Sequence, residues 1–91
     1  MVRAVYSYHA KKGTWPADLQ DLVPGFLPAV PDRWGYIYSK GDPAPRLMKL
    51  SALHTYLTYY FPPATHPLFP AGVDAGWVRD FEGQQMYLAG D

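Results

Sequence analysis

The chain has 91 residues, 48% of them hydrophobic, and its eight Lys and Arg are balanced by eight Asp and Glu. This length supports one hydrophobic core, so we expect a single domain. The neutral balance, with no basic run longer than Lys11-Lys12, excludes the electrostatic surface of a nucleic-acid-binding protein. The absence of cysteine excludes disulfides, thiolate metal sites and thiol nucleophiles. No apolar stretch reaches the about 18 residues of a membrane span, so the sequence predicts a soluble chain without a signal peptide.

The first predicted element is a helix over Met1–Lys12. Gly13 follows it, and glycine readily takes the left-handed conformation that ends a helix. Lys11 and Lys12 place cations on the last carbonyl groups. One helical face carries residues at the i, i+3, i+4, i+7 spacing, namely Val2, Val5, Tyr6 and His9. The helix starts at Met1 without an N-cap residue, which predicts that an upstream part of it is missing.

A second, short helix is predicted to begin at Thr14-Trp15-Pro16, because proline suits the first helical turn. Asp18 adds negative charge near the start of this helix. Its apolar stripe consists of Leu19, Leu22 and Val23. Pro24-Gly25 ends it.

Two hairpins are predicted downstream of a proline-rich loop at residues 24–35. Tyr36–Ser39 pairs with Arg46–Ser51 in the first, and Trp77–Phe81 pairs with Gln84–Ala89 around Glu82-Gly83 in the second. Between the hairpins, Leu53–Phe61 has a strand-like composition, but it also continues a helical spacing formed by Leu47, Leu50, Leu53, Leu57 and Tyr60. We favour a helix there, with Ser51 as N-cap and Pro62-Pro63 as terminator. The sequence therefore predicts an α+β chain with a sheet of about four strands.

Candidate catalytic and metal-ligating residues are dispersed. His9, His54 and His66 show no metal-ligand spacing, and no nucleophile elbow or phosphate-binding loop is present. A small hydrolase would have to bring together a histidine or carboxylates from the set Asp42, Asp74, Asp80 and Glu82. Gly72–Gly76 and Asp80–Gly83 offer hard oxygen ligands in flexible loops, so calcium is the metal these segments favour. Each acid also has a simpler role, which is to shape a turn beside Gly or Pro.

The 15 aromatic residues permit two interpretations. Most of them are expected to fill the core, because the chain has few Ile and Val. A minority at the surface could form a binding module that grips a glycan or a peptide.

Within residues 4–38, two motifs follow one another, Lys-Lys-Gly-Thr-Trp-Pro-Ala-Asp-Leu-Gln-Asp-Leu and, further on, Pro-Asp-Arg-Trp-Gly-Tyr-Ile-Tyr. In this order they resemble the globular head of type IV pilin-like proteins, and especially of type II secretion pseudopilins. The resemblance implies a head in which the end of a long N-terminal helix (residues 1–13) packs on a small antiparallel sheet (36–91, with a Tyr- and Pro-rich insertion). A short helix and a loop (14–35) connect the two.

The resemblance also implies roles for individual residues. Gly13 would break the long helix, Pro16 would start the short one, and Leu19 and Leu22 would seat it on the sheet. The entry into the sheet would comprise Pro31, Asp32, Trp34, Gly35, Tyr36 and Tyr38. The family's N-terminal peptidase site and apolar helix are absent, so the chain is either truncated or comparable to split pilins. Many type IV pilins have a disulfide-bonded loop near the C-terminus, so the absence of cysteine favours a pseudopilin over a type IV pilin.

The function implied by the resemblance is structural and non-enzymatic. The chain would be a filament subunit of a type II secretion pseudopilus or type IV pilus. Its partners would be other pilin subunits and assembly components, and it would meet the membrane only through a missing helix or partner chain. It would be anchored in the inner membrane and then exposed in a periplasmic or extracellular filament. The sequence predicts no cofactor beyond the calcium alternative.

Overall fold

The computed structural model describes residues 1–29, 36–41, 44–52 and 54–88. These residues form helix α1 (Val2–Lys12), a short 3₁₀-helix (Leu19–Leu22) and five strands, which are β1 (Tyr36–Ser39), β2 (Arg46–Ala52), β3 (Thr55–Tyr60), β4 (Gly76–Phe81) and β5 (Gln84–Leu88). The chain divides into two compact units, residues 1–34 with both helices and residues 35–91 with the sheet. The α+β class is confirmed. The finer expectation, a pilin-like head with the helix packed on the sheet, stays a prediction.

The sheet is antiparallel throughout, and its strands lie side by side in chain order. Both predicted hairpins are present, β1 with β2 and β4 with β5. The connection from β3 to β4 is the long one, residues 61–75, whereas residues 82–83 alone join β4 to β5. The sequence expectation of about four strands was one short of the five in the described residues.

The extra strand comes from the segment that we expected to be helical. Residues 55–60 form β3, which pairs with β2 on one side and with β4 on the other. The expected helix over Leu53–Phe61 is therefore wrong, and so is Ser51 as its N-cap, because Ser51 lies within β2. The threonines and tyrosines of this segment suit a pleated surface between two neighbouring strands, and this pairing overrides the leucine spacing.

The register divides the side chains of the sheet between two faces. Face A carries the row Tyr38, Leu47, Tyr59, Trp77 and Leu88, in which each residue pairs with the next across the sheet. Face B carries the alternate positions, including the rows Ser39–Arg46–Tyr60–Gly76 and Ile37–Met48–Thr58–Val78–Tyr87. Successive side chains of a strand point to opposite faces. The two faces of the sheet therefore carry different sets of side chains.

The most deeply buried apolar side chains lie in both units. In residues 1–34 they are Ala4, Val5, Leu19 and Leu22, and in the sheet unit they are Leu47, Phe61 and Val78. Pro16 and Pro45 are also fully buried. None of the helices in the described part of the chain has the length and apolar character that crossing a membrane requires.

Candidate functional site

The end of α1 is fixed by backbone geometry. Gly13 has a φ of +79° and donates its N–H to the carbonyl oxygen of His9 at 2.9 Å, which closes the last helical turn. His9, Lys11 and Lys12 supply the basic side chains of that turn. The predicted helix and its glycine terminator are thus confirmed.

Aromatic contacts tie the helix to the segment that follows it. The imidazole of His9 stacks on the indole of Trp15, with ring centroids 3.8 Å apart. Tyr6 meets the same indole edge-on at 6.0 Å. Further along, the ring of Tyr8 contacts Phe26 at 5.5 Å. Three rings on α1 therefore hold the chain that leaves it, so the direction of that chain is set by packing as well as by Gly13.

The short helix is a 3₁₀-helix whose start is Asp18 rather than Pro16. The Asp18 carboxylate accepts the N–H of Gln20 at 2.9 Å. The Asp21 carboxylate reaches back to accept the N–H groups of Ala17 at 3.1 Å and of Asp18 at 3.2 Å. This reciprocal capping box satisfies backbone donors at the helix N-terminus. Leu19 and Leu22 are buried, as their spacing indicated.

The motif residues that the pilin resemblance singles out are distributed as follows. Gly13 ends α1, Pro16 is buried beside the short helix, and Leu19 and Leu22 form the buried side of it. Tyr36 and Tyr38 lie on face A of β1, both half-buried, and the Lys49 ammonium lies 5.8 Å from the centre of the Tyr36 ring. The remaining four lie outside the described residues, namely Pro31, Asp32, Trp34 and Gly35.

Part of face B is covered by the long connection between β3 and β4. The ring of Phe69 contacts Tyr60 at 5.9 Å and Tyr87 at 5.4 Å, both edge-on. His66 contacts Tyr60 at 5.2 Å and Phe69 at 5.5 Å, and its Nδ1 accepts the N–H of Leu68 at 3.1 Å. We call Tyr60, His66, Phe69 and Tyr87 the aromatic cluster. It anchors residues 61–75, the connection between β3 and β4, on the sheet.

The rest of face B, over β1, β2 and β3, holds an open groove of about 220 Å³. Two cross-strand rows line it, Ser39–Arg46–Tyr60 and Ile37–Met48–Thr58. The Arg46 guanidinium lies 6.0 Å from the centre of the Tyr60 ring, and the Ile37 side chain is 52% exposed. The groove therefore combines a cation over an aromatic ring, the hydroxyl groups of Ser39, Thr58 and Tyr60, and an accessible apolar wall.

A hairpin turn projects from the opposite end of the sheet. Glu82 and Gly83 have φ values of +51° and +83°, and positive φ at both positions is typical of a tight two-residue hairpin turn. The Asp80 carboxylate accepts the N–H of Gly83 at 3.1 Å, and the Glu82 N–H donates to the carbonyl oxygen of His54 at 3.4 Å. The Phe81 side chain beside them is 46% exposed. The turn is thus ordered while presenting a ring and a carboxylate outward.

Several of the residues proposed for catalysis or metal binding are engaged in local structure. His9 stacks on Trp15, His54 lies in the β2–β3 turn, and His66 belongs to the aromatic cluster. Asp80 holds the hairpin turn. Asp42 lies outside the described residues. Across residues 1–29, 36–41, 44–52 and 54–88, no three His, Asp or Glu side chains come together in a group that could hold a metal ion. The calcium alternative stays a prediction.

The groove is the feature that sequence reasoning missed. Its residues come from three strands, and they meet because of the register between them. The one local signal was the alternation in Tyr36-Ile37-Tyr38-Ser39, which places Ile37 and Ser39 on the face opposite the two tyrosines. Arg46 belongs to the predicted partner strand of that hairpin, whereas Thr58 and Tyr60 could be added only once β3 was recognised as a strand.

Comparisons of the chain with models of protein families, with curated protein sequences and with solved structures give no match.

Proposed function

We propose that the chain is a non-enzymatic structural subunit of a type II secretion pseudopilus or a type IV pilus-like filament. The observation that carries this proposal is the way α1 ends. Gly13 closes the helix, and the chain continues at once through Trp15 and Pro16 into a short helix with buried Leu19 and Leu22. An antiparallel sheet follows in sequence. This is the order of elements that the pilin resemblance implies.

The physical basis of such a function is repeated weak contact. In the filament we envisage, apolar helices pack along the axis and the heads touch their neighbours on the outside. Each head contact need not be strong, because tethered neighbours raise one another's effective concentration. The zero formal net charge of the chain supports this use, since like-charged copies would repel one another. Its partners would be other pilin subunits and assembly components. The subunit would first be anchored in the inner membrane and would then be exposed in the assembled filament.

The nucleotide sequence on the 5′ side of the Met1 codon provides a direct test. We expect an in-phase apolar helix preceded by a peptidase site, or a neighbouring short gene that encodes one. A secretory signal peptide joined directly to Met1 would overturn the proposal. As a second measurement, immunogold labelling with an antibody against the 91-residue chain should mark filaments sheared from the source cells along their length.

A second candidate function is an extracytoplasmic binding module for a glycan or a peptide. The observation that favours it is the groove with the Arg46 guanidinium over the Tyr60 ring, since aromatic residues and Arg are enriched at binding surfaces. Glycan and peptide arrays probed with the intact chain distinguish the two functions. Selective binding that is lost in Arg46→Ala would favour the module.

A further inference from the structure

We infer that the β4–β5 turn of one copy docks into the groove on face B of the next copy. The turn is defined here as residues 80–83, and the groove as the surface lined by the rows Ser39–Arg46–Tyr60 and Ile37–Met48–Thr58. This inference rests on the proposed function, because it names the contact through which heads in a filament would touch.

The two surfaces are complementary in charge. Arg46 and Glu82 both have exposed side chains. Within the part of the chain that the structure describes, neither forms an ion pair, and the Arg46 guanidinium contacts the Tyr60 ring. Charge complementarity of this kind orients partners and suppresses wrong pairings. An Arg46–Glu82 pair between copies would satisfy both side chains.

The two surfaces are also complementary in their apolar groups. The Phe81 side chain is 46% exposed and stands beside Glu82 in the turn. On the groove, Ile37 is 52% exposed and lies in the same cross-strand row as Met48. Burying an exposed ring against aliphatic side chains is favourable because it removes apolar surface from water. The turn thus offers a ring with a carboxylate, and the groove offers an apolar wall with a guanidinium.

The turn already has a fixed conformation, which favours such docking. The Asp80 carboxylate and the His54 carbonyl oxygen already hold its backbone. A segment that is ordered before it binds loses less conformational entropy on association. The turn therefore needs little rearrangement to present Phe81 and Glu82.

The turn and the groove lie at opposite ends of the sheet, so their contact can be repeated from one copy to the next. Tyr60 pairs with Gly76 at one end of the β3–β4 ladder, and Thr55 pairs with Phe81 at the other. Arg46 pairs with Tyr60 and so belongs to the first end, while the turn extends from the second. Two different surfaces at opposite ends make a head-to-tail contact, which propagates along a filament unless the rotation between copies closes a ring.

The test uses cysteine cross-linking, because the chain has no cysteine of its own. Ser39→Cys places a thiol at the groove, and Gln84→Cys places one beside the turn. Ala71→Cys, in the long β3–β4 connection, is the control, since all three positions are exposed. We expect a mixture of the first two full-length variants to form the mixed disulfide about tenfold faster than a mixture of Ser39→Cys with Ala71→Cys. Equal rates would overturn the inference.

Charge exchange gives a second readout on the same full-length chain. Arg46→Glu and Glu82→Lys should each lower the cross-linking rate of the Ser39→Cys and Gln84→Cys pair to the control level, because each places like charges across the contact. Combining both substitutions in one chain should restore the rate. If the rate depends on Arg46 but not on Glu82, the groove has another acidic occupant and the inference is wrong.

The inference and the proposed function fail in different ways. An apolar helix encoded upstream, together with equal cross-linking rates, would leave the filament subunit in place and remove this contact. Fast, charge-dependent cross-linking in a chain that follows a secretory signal would retain the contact and remove the filament.

Discussion

A side chain at Gly76 would begin 3.0 Å from the Cε1 atom of Tyr87, a β5 residue that pairs with Val78, two residues further along β4. The φ of Gly76 is +152°, a value that residues with a side chain rarely adopt. Gly76 is therefore the point at which β4 leaves room for one ring of the aromatic cluster. Both the backbone conformation and the packing of the Tyr87 ring therefore favour glycine at position 76.

Gly76→Ala should consequently destabilise the chain by about 2–3 kcal/mol, because the new methyl group meets Tyr87 and the backbone is strained. The free energy of unfolding in urea measures this loss. Gly72→Ala is the matched control, since Gly72 has a φ of +84° and open space around it. It should cost about 1 kcal/mol from backbone conformation alone. Equal losses in the two variants would show that the Tyr87 contact is unimportant.

Phe69→Ala should loosen the long β3–β4 connection from face B. The ring contacts Tyr60, His66 and Tyr87, so its removal should cost about 2 kcal/mol. Hydrogen exchange should become faster at the hydrogen-bonded amides of the connection, such as those of Ala64 and Val73. Leu68→Ala is the control one residue away, because the Leu68 side chain is 39% exposed and should matter by less than about 0.5 kcal/mol. Unchanged exchange in Phe69→Ala would contradict the role given to the cluster.

Asp18→Ala should weaken the 3₁₀-helix by about 1 kcal/mol, since it leaves the Gln20 N–H without its capping carboxylate. Hydrogen exchange at that amide is the direct measurement. Asp18→Asn keeps a side-chain oxygen in place and should retain most of the protection. Protection that is equal in wild type and Asp18→Ala would mean that the cap does not hold the helix.

Gly13→Ala should lower the stability of the α1 terminus by about 1 kcal/mol, because alanine is strained at a φ of +79°. Gly13→Asn should lose less, since asparagine tolerates the left-handed conformation. Hydrogen exchange at the amides of α1 reports the change. A larger loss for asparagine than for alanine would contradict this account of the helix end.

The elements that the sequence predicted correctly depend on residues close together in the chain. The Lys11-Lys12-Gly13 run ends α1, and Glu82-Gly83 forms the tight turn between β4 and β5. In both cases the backbone requires a particular conformation within two or three residues, and glycine supplies it. Such signals do not depend on what lies elsewhere in the fold.

The helix expected at Leu53–Phe61 is wrong because the leucine spacing that favoured it includes Leu47 and Leu50, which lie in β2. Leu47 and Leu50 are three residues apart, which on a helix would place them on one face. In β2 they point to opposite faces, and Leu47 is fully buried whereas Leu50 is 47% exposed. A spacing of three residues thus places two side chains on one face of a helix but on opposite faces of a strand. Pairing with strands on both sides decided between them.

The groove on face B could not be predicted for a related reason. Ser39, Arg46 and Tyr60 form one row only through the registers of two strand pairs. A shift of one residue in either register would turn one strand's side chain to the other face and so break up the row. Long-range pairing determines this register, and local composition does not encode it.

The chain-order arrangement of the strands has a consequence for folding kinetics. Each new strand can add to its predecessor as a hairpin, and contacts between segments near in sequence favour rapid folding. The exception is the step from β3 to β4, which must close residues 61–75 into a loop. Relative to the two-residue turn at 82–83, that closure costs roughly 2 kcal/mol more in chain entropy. The rings of the aromatic cluster stabilise this longest connection of the sheet, so Phe69→Ala should slow refolding as well as lower stability.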